Sequence, residues 1–163
     1  MKLEKAEIER TVANMIDEIN QKGKGIPKDL SGFPELPYKN FEILQNDLRS
    51  GQARLFRFSY VMEPGLLNLL GSAGEKFGNT FGLIFAYGGF LASIAAAYFI
   101  SWWLLILAPI AFIIGSKMTK NSYNAAIVRS AASAEILFCF LYFSGQISVD
   151  IPSTGDHYFF QRD

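Results

Sequence analysis

Arg129 and Glu135 are the two side chains whose surroundings could support chemistry, because both interrupt a largely apolar stretch at residues 123–146. An ionisable group at membrane depth costs about 2.5–3.5 kcal/mol to insert, so such groups commonly line polar paths or pair across chains. Their spacing places them on different faces of one helix, where they do not pair with each other. Two interpretations stay open. Either Arg129 snorkels at the interface while 134–144 enters lipid or packs on the other apolar helices, or the helix crosses fully and Glu135 lines a polar path or pairs with Arg129 of another chain.

The other reactive side chains form no catalytic or metal-binding pattern. Cys139 stands alone in an apolar run, which is typical of a buried, inert thiol. His157, the only histidine, has no second histidine or cysteine with which to hold a metal. Residues 71–78, GSAGEKFG, lack the residue order of a phosphate-binding loop. We therefore predict a protein that is not an enzyme, with no catalytic, cofactor-binding or metal-binding residues and no cofactor.

The longest uncharged stretch predicts membrane insertion. No Lys, Arg, Asp or Glu occurs in the 40 residues 77–116, between Lys76 and Lys117. About 20 apolar residues cross a bilayer as a helix, so this stretch is long enough for two crossings. The 15 basic and 15 acidic residues balance, and a nucleic-acid partner is not predicted.

Aromatic residues locate the predicted turn between two transmembrane helices, at about 78–100 and 103–120. Trp and Tyr prefer the membrane–water interface, where an apolar ring and a polar group are both accommodated. The chain carries a cluster of such interfacial anchors near the middle of the uncharged stretch: Tyr98, Trp102 and Trp103. A helical hairpin follows from this pattern.

Two alternatives to the hairpin remain. In the first, the chain bends at Gly88-Gly89 and residues 90–116 form a single span. In the second, the hairpin is buried inside a soluble protein.

Lys117 and Lys120 favour a cytoplasmic loop after the hairpin. The charged amino terminus lacks a secretory signal. Together these features predict an integral protein of the cytoplasmic (inner) membrane with a cytoplasmic N-terminus.

Small residues recur every four positions along the first predicted helix, which is the spacing of close helix–helix contacts in lipid. They can serve packing against the second helix or a homo-oligomeric interface. The predicted interface residues form two such series, the first of Gly74, Gly78, Gly82 and Ala86 and the second of Gly89, Ser93 and Ala97.

The first 76 residues are predicted to form a cytoplasmic or interfacial region. An amphipathic helix at 3–22, with a stripe at Ile8, Val12, Met15 and Ile19, precedes a Pro/Gly-rich linker or ordered loop at 23–40 and short helices within 41–75. Residues 53–62 fit a strand without an obvious partner or a helix at the membrane surface, and the helix is slightly favoured.

The predicted fold is thus mainly α. Region 1–76 is followed by a membrane domain at 77–146, with a third membrane-embedded or interfacial helix at 123–146, and by a C-terminal tail at 147–163. The bilayer is one expected partner, and further copies or other membrane-protein subunits are others. The favoured function is self-assembly or a subunit or scaffold role in a membrane complex. An oligomeric pore that conducts ions or permeabilises the membrane, and a hairpin that bends membranes, are the alternatives.

Overall fold

The computed structural model describes residues 2–23, 25–58 and 64–160. The chain is mainly helical, as the sequence predicts, and it divides into two compact units. One unit is discontinuous in sequence and combines Met1–Glu63 with Ile127–Asp163, whereas the central unit is Pro64–Ala126. Each is described by itself below.

The helices and strands of the described residues are numbered in chain order. Two 3₁₀ segments lie at Leu30–Gly32 and Trp102–Ile106, and a π-helical turn lies at Ile84–Gly88. The helices and strands are α1 Lys2–Gln21, α2 Phe41–Ser50, β1 Arg54–Arg57, α3 Pro64–Leu70, α4 Ala73–Leu83, α5 Gly89–Phe99, α6 Leu107–Ser133, α7 Glu135–Phe143, β2 Ile147–Ile151 and β3 Asp156–Phe159.

A three-stranded antiparallel sheet joins the two ends of the chain in the discontinuous unit. Its strand order is β1-β2-β3. Leu55 lies opposite Val149, and Val149 lies opposite Tyr158. Apolar residues alternate along β2, where Ile147 and Val149 are fully buried, because successive side chains of a strand point to opposite faces. The 54–57 part of the ambiguous 53–62 segment is therefore a strand, and 59–62 lies outside the described residues.

The partner of β1 comes from the predicted tail, 90 residues further along the chain. Residues 147–151 and 156–159 are strands, connected by a turn in which Gly155 has a φ of +75°. A left-handed conformation of this kind favours glycine. The predicted tail is thus part of a folded unit.

Helices α1 and α7 both contribute to the core of this unit. Val12 and Ile16 of α1 are fully buried, and so are Phe138 and Leu141 of α7. Met15, which belongs to the predicted apolar stripe, is 36% exposed, so the buried face of α1 is turned slightly from the predicted one. Helix α1 packs against α7 within its own unit.

The Pro/Gly-rich segment is an ordered loop. Its apolar side chains are buried: Ile26, Leu30, Phe33, Leu36 and Tyr38. The ring of Phe33 packs edge-on against Tyr142, with centroids 5.1 Å apart. Helix α2 then begins at Asn40, whose side chain accepts the N–H of Glu42 at 2.8 Å and so caps the helix.

The central unit begins with α3, which buries Leu66, Leu67 and Leu70. A capping box then starts α4. Ser72 Oγ accepts the N–H of Glu75, and the Glu75 carboxylate accepts the N–H of Ser72 at 2.6 Å. Helix α4, the π-helical turn and α5 together make one helical run, Ala73–Phe99, which we call the first apolar helix.

The second apolar helix runs from Trp102 to Ser133. It shows no break near residues 121–122, where the sequence analysis separates 103–120 from 123–146. Lys117 and Lys120 are helical, since lysine is a good helix former. The break lies instead at Ala134, whose backbone is extended (φ −154°, ψ 141°). The carbonyls of Ala132 and Ser133 accept hydrogen bonds from Gln45 and Lys5, which satisfies two groups left open by the helix end.

Candidate functional site

The two apolar helices present the most distinctive surface of the molecule. Each is long and apolar enough to cross a membrane, and only 11% and 22% of their most apolar windows are buried. Large apolar side chains are exposed along both, from Phe77 to Ile114. Water disfavours so large a continuous apolar surface, and such surfaces mark contact with membrane or protein. The surface is compatible with membrane localisation.

The two helices pack against each other in antiparallel directions, and glycine sets their distance. A Cβ added at Gly82 would lie 2.6 Å from Thr119 Oγ1 and 2.8 Å from the carbonyl oxygen of Gly115. A Cβ added at Gly115 would overlap the backbone of Ala86 and Gly82. At these positions only glycine permits backbone-to-backbone approach, which is how helices associate in lipid.

The predicted small-residue positions divide between this contact and open surface. Gly78 lies against Ser122, and a Cβ at Gly89 would meet Ala111 Cβ at 3.0 Å. Ser93 lines a cavity between the helices, whereas nothing lies within 4 Å of a Cβ at Gly74. Most of the predicted positions therefore face the second apolar helix of the same chain, namely Gly78, Gly82, Ala86, Gly89 and Ser93. Ala97 is half-buried, and no contact of its side chain defines a role.

The predicted interfacial anchors lie at the connection between the two helices. The first apolar helix ends at Phe99, Ser101 is extended, and the second begins at Trp102. Tyr98 is 84% exposed and Trp102 is 80% exposed, while Trp103 is 54% exposed. The connection thus carries aromatic side chains that are free to contact an interface.

The lysines lie towards the opposite end of the helix pair. Because Thr119 packs against Gly82 and Ser122 against Gly78, Lys117 and Lys120 lie level with residues 81–84 of the first apolar helix. The stretch from this level to the connection, residues 84–99, carries no charge on either helix. At 1.5 Å per residue, these 16 residues span about 24 Å.

Arg129 and Glu135 are placed in the discontinuous unit. Arg129 is exposed near the end of α6. Glu135 is the first residue of α7, and its carboxylate accepts the backbone N–H of Leu30 at 2.9 Å. An acidic side chain in the first helical turn is favourable because the helix dipole is positive there. This placement gives Glu135 a role in holding the ordered loop.

The remaining reactive groups are separate from one another. Cys139 is fully buried, and that burial raises the pKa of its thiol to about 12. His157 lies on β3 with Nδ1 3.9 Å from a carboxylate oxygen of Asp150. Among the residues that the structure describes, no three His, Cys, Asp or Glu side chains are grouped so that they could hold a metal ion.

The pairing of β1 with β2 was not predicted from the sequence. A signal was present in ISVDI, residues 147–151, where apolar residues alternate with polar ones as in a half-buried strand. No family model, curated protein or solved structure matches this chain.

Proposed function

We propose that the chain is a non-enzymatic integral membrane protein whose two apolar helices form a transmembrane hairpin. The discontinuous unit is then a folded body on one side of the membrane, and the hairpin attaches it there. The observation that carries the proposal is the pairing of β1, which precedes the apolar helices, with β2, which follows them.

Strand pairing constrains the number of crossings. Residues 54–57 and 147–151 form one ladder, so both must be on the same side of any membrane that the chain enters. An even number of crossings satisfies this condition, and a single span does not. A third crossing by residues 123–146 would separate the two strands, and it would also expose to lipid the carboxylate that Glu135 uses to hold Leu30.

The length of the uncharged region supports complete crossing. Its depth of about 24 Å is somewhat less than the roughly 30 Å of a hydrocarbon core. Short spans are accommodated when flanking side chains snorkel or the bilayer thins. Lys117 and Lys120 stand at one end for this purpose, and Tyr98 and Trp102 stand at the other as interfacial anchors.

Orientation follows from the same lysines. Positive charge is retained on the cytoplasmic side, so the discontinuous unit and the N-terminus are cytoplasmic in this proposal, and the membrane is the cytoplasmic one. The Trp102 end of the hairpin would be on the far side.

Assembly into a homo-oligomer or a larger membrane complex is the second part of the proposal. Since Gly82, Gly89 and Gly115 contact the other helix of the same chain, an interface with further subunits would use other faces. Phe77, Phe81 and Phe85 form one such face as a stacked series with centroid distances of 5.9 and 6.3 Å. The mass of the full chain in nanodiscs tests this part, and a lone monomer without a co-purifying subunit would oppose it.

Labelling of single cysteines tests the hairpin. In a Cys139→Ala background, cysteines at Lys28 and Thr154 report on exposed sites in the two halves of the discontinuous unit, and one at Tyr98 reports on the helix connection. In sealed inside-out vesicles, a membrane-impermeant maleimide should label positions 28 and 154 but not 98. Right-side-out vesicles should give the reverse. Opposite sidedness of 28 and 154 would refute the proposal.

A further inference from the structure

We propose that a slot between the two apolar helices binds one acyl chain of a phospholipid. The inference rests on the proposed membrane location. The slot has a volume of about 420 Å³, which lies within the range of small-ligand sites. One wall is formed by small residues of α5, namely Gly89, Ala92, Ser93 and Ala96. The other is formed by larger residues after the connection, including Leu104 and Leu107.

The shape of the slot selects a thin occupant. Its walls converge where Gly89 faces Ala111, since a Cβ at Gly89 would be only 3.0 Å from Ala111 Cβ. They are closer still at Gly115, where the two backbones meet. A helix with side chains is about 10–12 Å wide and cannot enter a wedge that closes to contact. An extended acyl chain can.

The chemistry of the lining selects an apolar occupant. Ser93 carries the only side-chain polar group among the lining residues, and its hydroxyl donates to the carbonyl oxygen of Gly89 in the preceding turn at 2.7 Å. The slot therefore offers no free polar side chain to a headgroup or a charged ligand. A group that needs hydrogen bonds would lose them here, whereas hydrocarbon loses nothing.

The depth of the slot agrees with an acyl chain. Its lining runs from Phe85 to Ala96 on the first apolar helix and from Leu104 to Ala111 on the second. All of these residues lie in the uncharged part of the helix pair, beyond the level of Lys117. In the proposed hairpin this is the depth of lipid tails, and the headgroup would remain at the interface beside Tyr98 and the tryptophans.

Native mass spectrometry of the full chain, released from nanodiscs of palmitoyl-oleoyl phosphatidylcholine, tests the inference. We expect wild-type protein to retain one phospholipid per chain. Ala96→Leu fills the slot and should lower the fraction of chains carrying that lipid at least about fivefold. Ala95→Leu, on the exposed face of the same helix, is the matched control and should retain the lipid as wild-type does.

A second measurement does not depend on a variant. A phosphatidylcholine with a diazirine in the middle of one acyl chain should crosslink to slot-lining residues such as Ala92 and Ala96 in excess of the outward-facing Leu91 and Ala95. Equal lipid retention by all variants, or crosslinks spread evenly around α5, would overturn the inference. So would lipid-free dimers, which would mean that a second copy fills the slot. Failure of the chain to fractionate with membranes would instead refute the proposed function.

Discussion

Replacement of Gly115 by alanine tests the packing of the two apolar helices most severely. The new Cβ would lie 2.7 Å from Ala86 Cα and closer still to Ala86 N and the carbonyl oxygen of Gly82. All three atoms are backbone, so rotation of a side chain cannot relieve the overlap. Ordinary contact begins near 3.4 Å, and the two closer atoms set the requirement, so the helices must separate by about 1 Å at this point.

The expected loss of stability follows from two opposing effects. Overpacking of this kind costs about 1–3 kcal/mol, and adjacent glycine contacts would loosen as well. Alanine regains up to about 1 kcal/mol through its higher helix propensity. We expect a net destabilisation of about 1–2 kcal/mol, which corresponds to roughly a 5- to 30-fold change in the ratio of folded to unfolded protein.

The assay is equilibrium unfolding in mixed micelles with increasing dodecyl sulfate. Fluorescence of Trp102 and Trp103, the two tryptophans of the chain, reports on the helix connection. Gly74→Ala, in the first apolar helix, is the matched glycine-to-alanine control, because nothing lies within 4 Å of a Cβ at that position. It should leave stability unchanged or raise it by up to about 1 kcal/mol. Equal stabilities of Gly115→Ala and Gly74→Ala would refute the packing described here.

Three further perturbations address the discontinuous unit and the start of the first apolar helix. Glu135→Ala removes the carboxylate that accepts the N–H of Leu30, a fully buried residue. It should lower the free energy of unfolding by about 1–3 kcal/mol, as measured by chemical denaturation. Glu135→Gln should be less affected, because its amide oxygen can still accept the hydrogen bond. Ser72→Ala removes the capping-box acceptor and should cost about 1 kcal/mol, which thermal unfolding of the full chain measures against the wild type. Burial raises the pKa of the Cys139 thiol from 9.0 to about 12, so the unfolded chain releases a proton that the folded chain keeps. The free energy of unfolding should therefore fall by about 1.4 kcal/mol per pH unit between pH 9 and 12, and Cys139→Ala should remove that part of the slope; an unchanged slope would contradict the assignment.

The two apolar helices were predictable from the sequence because their signals are local. An uncharged stretch, aromatic residues in its middle and small residues at four-residue spacing are all visible within 40 residues. Helix boundaries were less predictable. Lys117 and Lys120 suggested a loop, yet the helix continues through them, since long basic side chains are good helix formers and reach water by snorkelling.

The discontinuous unit could not be assembled from sequence, because its contacts join distant residues. Nothing near β1 could reveal that its partner begins at Ile147. Glu135 looked functional because an ionisable residue stood in an apolar run, and its hydrogen bond to Leu30 spans 105 positions. The slot beside Ser93 was equally hidden, since it depends on how far the two helices separate, and spacing along one helix does not encode that distance.

The proposed transmembrane hairpin requires the two strands that flank it, β1 and β2, to pair. Cysteines at Arg54 and Asp150, in a Cys139→Ala background, stand at paired positions of β1 and β2. Paired Cα atoms of antiparallel strands are about 4.5–5.5 Å apart, within reach of a disulfide. His157 lies opposite Asp150 on β3, so cysteines at Arg54 and His157 are two strands apart, about 9–10 Å, and serve as the control pair.

Oxidation of the full chain in native membranes, followed by mass spectrometry of its peptides, measures this directly. We expect an intramolecular disulfide between positions 54 and 150, and none between 54 and 157. Absence of the 54–150 disulfide, while each cysteine remains accessible to a maleimide, would contradict the shared side of the two strands and with it the transmembrane hairpin.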